Sequence, residues 1–285
     1  MLWILYSLLS AFSDATKDFL SKRVLRGRSF DAIVPAWAAL AFASPFFAIL
    51  MLFSGRTEVG PLFLPAAAVN AGLFVLANVC YMRGIKLSDL SLTLPMIAFT
   101  PAFMLITGLL VLGEMPAPLG MAGVLVVALG AYLLRSGKGL LAPIRSLFAD
   151  PGAKYLLAVA LIYSLTAVSL KLAITASSPM FAITVIYLLA LVLLTAYGLW
   201  TRRFDDVRLA DLPALVPIGL VTVLSEMGLV YAFTLTLAVY AIAVKRLSII
   251  IGSVYGFVFF GERDALRRIA ASLIMLVGVV LLALS

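Results

Sequence analysis

The chain alternates long apolar runs with short polar interruptions. Ten runs can be marked, at about 2–20, 32–53, 62–83, 90–112, 117–135, 154–175, 180–200, 213–235, 239–260 and 266–284. A helix needs roughly 20 apolar residues to cross the hydrocarbon of a bilayer, and most of these runs are that long. They are continuous and not alternating, which excludes barrel strands of about 10 residues. Lipid admits only helices or closed barrels. The pattern therefore predicts an all-α membrane protein with ten transmembrane helices. The first run, MLWILYSLLSAFS, lacks a basic leading segment and a small-residue cleavage site, so it is expected to be the first span and not a removed signal peptide.

Composition agrees. Of 285 residues, 64% are apolar and 12% charged, and the mean hydropathy is +1.18. Soluble domains average about 45–50% apolar and about 25% charged. The polar stretches at 135–153 and 201–213 are too short to fold as separate domains. The sequence has no histidine and a single cysteine, Cys80. Histidine-based catalysis, histidine or cysteine-cluster metal sites and an intrachain disulfide are thereby excluded. No Walker loop or dinucleotide-binding glycine pattern occurs, so the chain is expected to need no cofactor or metal, and uphill movement of a solute would draw on an ion gradient or exchange.

The net charge of +8 lies in the loops. Of 21 Lys and Arg residues, 17 fall in the odd-numbered loops; the others are Arg56, Lys171, Lys245 and Arg246. The positive-inside rule places odd loops in the cytoplasm and both termini outside. Basic charge on such loops points to a bilayer surface and not to nucleic acid.

The linker lies near the midpoint of the chain. A shift of 148 residues superposes Gly108, Gly113, Glu114 and Gly130 on Gly256, Gly261, Glu262 and Gly278, within nine identities over 27 positions. Two repeats follow, 1–135 and 154–285, joined by 136–153. Five spans per repeat is an odd number, so the second repeat is inverted relative to the first. Inverted repeats recur in secondary transporters.

Leu-Gly-Glu at 112–114 and Phe-Gly-Glu at 260–262 close the fourth and ninth runs. With SLTLPMIAFTPAFMLITGLLVLGE (91–114), AVKRLSIIIGSVYGFVFFGE (243–262) and GMAGVLVVALGAYLL (120–134), the chain resembles the EamA-type branch of the drug/metabolite transporter superfamily. That resemblance implies a ten-helix inner-membrane carrier, monomeric or homodimeric and not an enzyme, that moves small organic solutes such as amino acids, other metabolites or drugs. Many ten-helix relatives keep both termini in the cytoplasm, the reverse of what the loop charges give here.

Charges within the hydrocarbon cost roughly 2.5–3.5 kcal/mol each at a helix centre and commonly mark function. Glu226, near the middle of the eighth run, is the first candidate, as a proton or cation site or as the partner of Lys245 or Arg246. The repeat shift sets Asn78 opposite it. Lys245 and Arg246 either hold an anionic group or snorkel to the interface. Trp37 and Tyr187 align as repeat mates that line a cavity or form an interfacial belt. Asp14, Lys17 and Asp18 share a face at i, i+3 and i+4 and read as an internal ion pair near the interface. Pro95 and Pro101 are expected to kink the fourth helix, a feature without counterpart in the ninth. Glu114 and Glu262 are expected to sit at membrane edges, at the starts of the fifth and tenth helices. Gly120, Gly123, Gly130, Ala270, Ala271 and Gly278 suit close helix packing.

The function expected is alternating access around a midplane site between the repeats, by proton coupling or exchange. A lipid flippase or scramblase, and less readily an intramembrane lipid-modifying enzyme, are the alternatives. The loop charges make a direct prediction. A C-terminal fusion to an enzyme active only outside the cytoplasm should be active, and the matching fusion to a reporter active only inside should be silent.

Overall fold

The computed structural model describes residues 1–27, 30–55, 57–87, 94–135, 150–260 and 265–285. The described chain is helical throughout. Its α-helices are α1 (Leu2–Gly27), α2 (Ile33–Phe53), α3 (Phe63–Leu87), α4 (Thr100–Leu112), α5 (Pro118–Arg135), α6 (Pro151–Thr175), α7 (Pro179–Trp200), α8 (Leu212–Leu235), α9 (Ala238–Lys245), α10 (Ser248–Phe260) and α11 (Ala265–Leu284). Helices α9 and α10 share the ninth run, and the others take one run each. Among the described residues five stretches are long and apolar enough to cross a bilayer, namely Ile33–Phe53, Phe63–Gly84, Pro151–Thr175, Pro179–Trp200 and Leu209–Leu235.

Two helices begin where sequence patterns would start them. Asp150 caps α6 through its side chain to the Gly152 N–H at 2.9 Å, with Pro151 in the first turn. Ser178 caps α7 in the same way, with Pro179 following. Helix α6 opens at Pro151, three residues before the apolar run does. Helix α1 runs seven residues past its apolar run, to Gly27. That extension puts Asp14 at the centre of the helix and not at its edge.

The expected kink at Pro95 and Pro101 takes another form. Pro95 lies in a 3-10 segment, Leu94–Phe99, that leads into α4, and Pro101 falls in the first turn of α4. A proline there forfeits no helical hydrogen bond. The ninth run is interrupted as well, at Arg246 and Leu247 and without proline. The 148-residue shift carries Leu94–Phe99 onto 242–247, and Thr100–Leu112 onto Ser248–Phe260 end to end. Both repeats therefore carry an interrupted fourth span. Prolines do lie inside α2 and α8, at Pro45 and Pro217.

Packing is mostly between the two halves of the sequence. Helix α1 lies against α8, α3 against α6, α5 against α11, and α2 against α7 and α8. Exchanging the repeats turns the first of these pairs into the second. Loop contacts keep parity. Asp31, after α1, pairs with Arg203, after α7, at 2.6 Å. Gly60, after α2, donates to the Ala176 carbonyl, after α6, at 2.8 Å. Odd-numbered loops thus meet at one end of the bundle and even-numbered loops at the other.

The buried seams are lined by small residues. Ser7, Ser10, Ala11 and Ser13 of α1 are buried, and a side chain at Gly228 would come within 2.6 Å of the Tyr6 carbonyl. In the α5–α11 seam a Cβ on Gly123 would lie 2.8 Å from the Gly278 carbonyl, and one on Gly278 would lie 2.7 Å from the Val127 nitrogen. These are backbone contacts that no rotamer can relieve. Lipid supplies no hydrophobic drive between helices, so such close packing is what holds them. The outward faces carry Leu5, Leu52, Leu110, Val192 and Leu273.

Gly278→Val should therefore force α5 and α11 apart. A cost of about 1–3 kcal/mol is expected for overpacking, read as a lower midpoint of thermal unfolding in detergent. Val280→Ala, on the exposed face of the same helix, should leave the midpoint unchanged.

Candidate functional site

Four charged side chains meet where α1, α8 and α9 pack together. Asp14 and Lys17 are one turn apart on α1, and the Lys17 ammonium donates to Asp14 Oδ1 at 2.6 Å. Lys245, the last residue of α9, stands 3.7 Å from Asp14 Oδ1 and 3.6 Å from Glu226 Oε1 on α8. The order along the cluster is Lys17, Asp14, Lys245, Glu226, with cation and anion alternating. Each side chain keeps between 14% and 27% of its surface accessible, whereas Ser10, Ser13 and Ser225 beside them keep 2% or less. The helices close on small neutral residues, and the charged side chains beside them stay partly accessible.

Local sequence explains the arrangement. Ser10, Asp14, Lys17 and Ser21 repeat at helical spacing and form one face of α1. On α8, Ser225 bonds back to Ser10, hydroxyl to hydroxyl at 3.4 Å and to the Ser10 carbonyl at 3.3 Å. That contact sets the two helices at the depth where Glu226 looks toward Asp14. Lys245 reaches the same place from the last turn of α9. The helix ends there, at the turn through Arg246 and Leu247.

Further groups surround the four. The Tyr187 hydroxyl on α7 lies within electrostatic reach of Glu226 and Asp14, and the Tyr187 ring packs edge-on against Phe47 at 5.0 Å. Arg246 acts electrostatically on Asp14. Tyr163 on α6 lies within electrostatic reach of Lys17, Asp18, Arg246 and Tyr81 of α3. Helices of both repeats thus converge on one polar centre.

The residues singled out in the sequence divide. Glu226, Lys245, Arg246 and Tyr187 come together. Lys245 does not snorkel; it points at two carboxylates inside the bundle. Asn78 is elsewhere. Its amide donates to the Phe74 carbonyl one turn back on α3, at 2.8 Å. It lines a separate cavity of about 70 Å³ with Asp31, Arg83, Tyr197 and Arg203. Sequence symmetry made it the mate of Glu226, but the inverted repeat carries it to a different neighbourhood. Trp37 is also apart, donating from Nε1 to Thr195 Oγ1 at 3.0 Å and packing on Phe204, where it ties α2 to α7. Pro95 and Pro101 shape the entry to α4, as described above.

Asp14 and Lys17 are the members that sequence reading placed at the interface. The serine stripe through Ser7, Ser10 and Ser13 was the signal that their face turns inward. Asn70 was not singled out either. It is buried and fastens α3 to α6 through Thr166 O at 2.6 Å and Ser169 Oγ at 3.1 Å.

A second charged group lies at the even-loop end. Lys171 forms an ion pair with Glu114, and its ammonium also donates to the Thr236 carbonyl at 2.6 Å. Glu114 accepts from the Ala238 N–H at 2.8 Å. Glu114 therefore caps α9 of the other repeat and not the start of α5. Glu262, its repeat mate, lies outside the described residues. Among the described residues, no group of three or more Cys, Asp or Glu side chains is placed to hold a metal ion.

This geometry belongs to a helical bundle with two matching halves, and the sequence confirms the pairing. Residues 1–136 and 150–284 each match the model of the EamA-like transporter family. The chain belongs to that family. It is accordingly a multi-pass membrane transporter of the drug/metabolite transporter superfamily, an all-helical protein of two repeats. Among solved structures, one titled only as the crystal structure of a protein superposes with a TM-score of 0.77 over 99% of this chain and 96% of its own, at 12% identity. The likeness is one of fold. No curated protein matches the sequence.

Removing Asp14 would leave Lys17 without its near partner and Lys245 with one carboxylate. Asp14→Asn is expected to lower stability by about 2 kcal/mol, the scale of a hydrogen bond to a charged group. Asp14→Asn combined with Lys17→Met should recover part of that loss, because the stranded ammonium is then gone. Thermal unfolding of the three purified proteins in one detergent checks both statements.

Proposed function

We propose that this transporter carries a small organic metabolite across the inner membrane by alternating access, and that the polar centre around Lys245 and Glu226 receives the charged or polar part of the solute. The observation that carries the reading is the looseness of one link in the cluster. Lys17 and Asp14 are in direct contact at 2.6 Å, whereas Lys245 stands 3.6 and 3.7 Å from its two carboxylates. A tight pair is already satisfied. An ammonium shared between two acids at longer range has a donor to give to an incoming group.

The same link suits proton coupling. Protonation of Glu226 removes one of the two anions that hold Lys245, so the ammonium becomes more available as a proton arrives. A carrier of this kind needs no nucleotide. Its drive would be a proton gradient or exchange of one solute for another. Extensive contact between the repeats bears on which bodies move. Because α1 lies on α8 and α3 on α6, each moving body would draw helices from both sequence halves. The loop charges orient the even-loop end, with the Glu114–Lys171 pair, away from the cytoplasm.

The test begins with thermal unfolding of the purified protein against a library of metabolites at several pH values. A ligand at about 100 times its Kd adds roughly 2.7 kcal/mol, so a true solute should raise the midpoint clearly. In liposomes, uptake of that compound should follow an imposed pH gradient. Glu226→Gln should abolish the gradient-driven part while the protein remains folded. Normal gradient-driven uptake by that variant would remove Glu226 from the mechanism.

A further inference from the structure

The geometry points to Glu114 and Lys171 as a latch that closes the even-loop end of the bundle, joined to the polar centre by α9, so that opening this end and releasing Lys245 are one movement.

Three observations converge. The first is the latch itself. Glu114 follows Gly113, whose left-handed backbone (φ 67) ends α4. The Gly113 N–H bonds to the Leu109 carbonyl and the Glu114 N–H to the Gly108 carbonyl, a glycine-based helix ending that fixes the direction of the next side chain. Glu114 is thereby aimed across the repeat boundary at Lys171 and at the first turn of α9. Its carboxylate meets the positive end of α9 at Ala238, while the Lys171 ammonium meets the negative end of α8 at Thr236. Both charges serve helix ends as well as each other. The Gly-Glu pair of the sequence motif thus has a mechanical reading: glycine makes the turn and glutamate makes the catch.

The second is the connector. Helix α9 has eight residues and spans about 12 Å at 1.5 Å per residue. Ala238, Val239, Tyr240, Ala241, Ile242, Ala243 and Val244 are all buried. A two-turn helix enclosed on every side moves as one piece. The third is its far end, which is Lys245, held by Asp14 and Glu226. One short rod therefore has the latch at its N-terminus and the polar centre at its C-terminus. Withdrawing Ala238 from Glu114 draws Lys245 from its carboxylates, and a solute or proton that loosens Lys245 frees the rod to leave the latch. The transport reading enters only in naming what the latch encloses.

The experiment reads accessibility of a thiol and needs no solute. In the full-length chain with Cys80→Ser, Val239→Cys places a thiol in the first turn of α9, where Val239 is 3% exposed. Purified protein in detergent is treated with a water-soluble maleimide. Labelling should be slow. Glu114→Gln and Lys171→Gln should each accelerate it at least tenfold, and Lys171→Arg, which keeps the cation and its donors, should stay close to the parent rate. Lys245→Gln, which frees the other end of the rod, should accelerate it as well. A second reporter, Leu156→Cys, is buried at the odd-loop end and should remain slow throughout. Unchanged labelling at Val239→Cys in the glutamine variants would overturn the latch. So would equal acceleration at Leu156→Cys, which would mean a loosened fold, or a Lys171→Arg protein as open as Lys171→Gln. Acceleration by the latch variants but not by Lys245→Gln would overturn the coupling. Because no transport is measured, a failed latch and a failed transport reading give different results.

Discussion

A charge inside hydrocarbon must find a counter-charge, and much of this bundle is arranged around that demand. Asp14, Lys17, Lys245 and Glu226 come from three helices, and none of those helices could enter lipid with its charged face bare. Desolvation is costly for each ion, and mutual attraction offsets it only when the groups are close and well oriented. The alternating order satisfies this, since every anion is flanked by a cation and Lys245 by two anions. The pairing fixes depth and rotation together. It requires that α1 of the first repeat meet α8 and α9 of the second, and the small residues at Ser10, Ser225 and Gly228 let the backbones approach closely enough for it to happen.

The same demand explains why the repeats interlock. If each repeat packed by itself, Asp14 and Lys17 would balance each other, but Glu226 and Lys245 would be held only across α8 and α9. Exchange of helices between repeats joins the two pairs into one cluster. At the opposite charged site the exchange recurs: Glu114 of the first repeat caps a helix of the second, with Lys171 as its partner. The duplicated sequence has thus built two unlike polar places from related parts, a loosely bound centre and a tightly bound edge.

What could be read from the sequence followed from the cost of placing groups in lipid. Ten apolar runs and the 148-residue shift gave the helices and the repeats, because length and composition answer directly to bilayer thickness. Glu226 and Lys245 announced themselves as charges within apolar runs. Asp14 did not, since it falls in the polar last third of its run and α1 continues past the end of that run to Gly27, so a central residue looked marginal. Asn78 shows the opposite error. Equivalent positions in inverted repeats share a place in the helix but not a set of neighbours, and only tertiary packing tells them apart. The break between α9 and α10 was hidden for another reason: no glycine or proline marks it, and it is stabilised by bonds between backbone groups that any residue supplies.

Those bonds give the break a property of its own. Around it the amides reach three residues back: Leu247 to Val244 at 3.0 Å, Ile249 to Arg246 at 3.0 Å and Ile250 to Leu247 at 2.9 Å. These three amides are therefore satisfied without a regular α-helix. A 3-10 turn rises about 2.0 Å per residue against 1.5 Å for an α-helix. Rewinding a few residues here would change the reach of the span by roughly 0.5 Å for each. The ninth span thus carries, between α9 and α10, a short tightened turn whose rise per residue differs from that of the helices on either side.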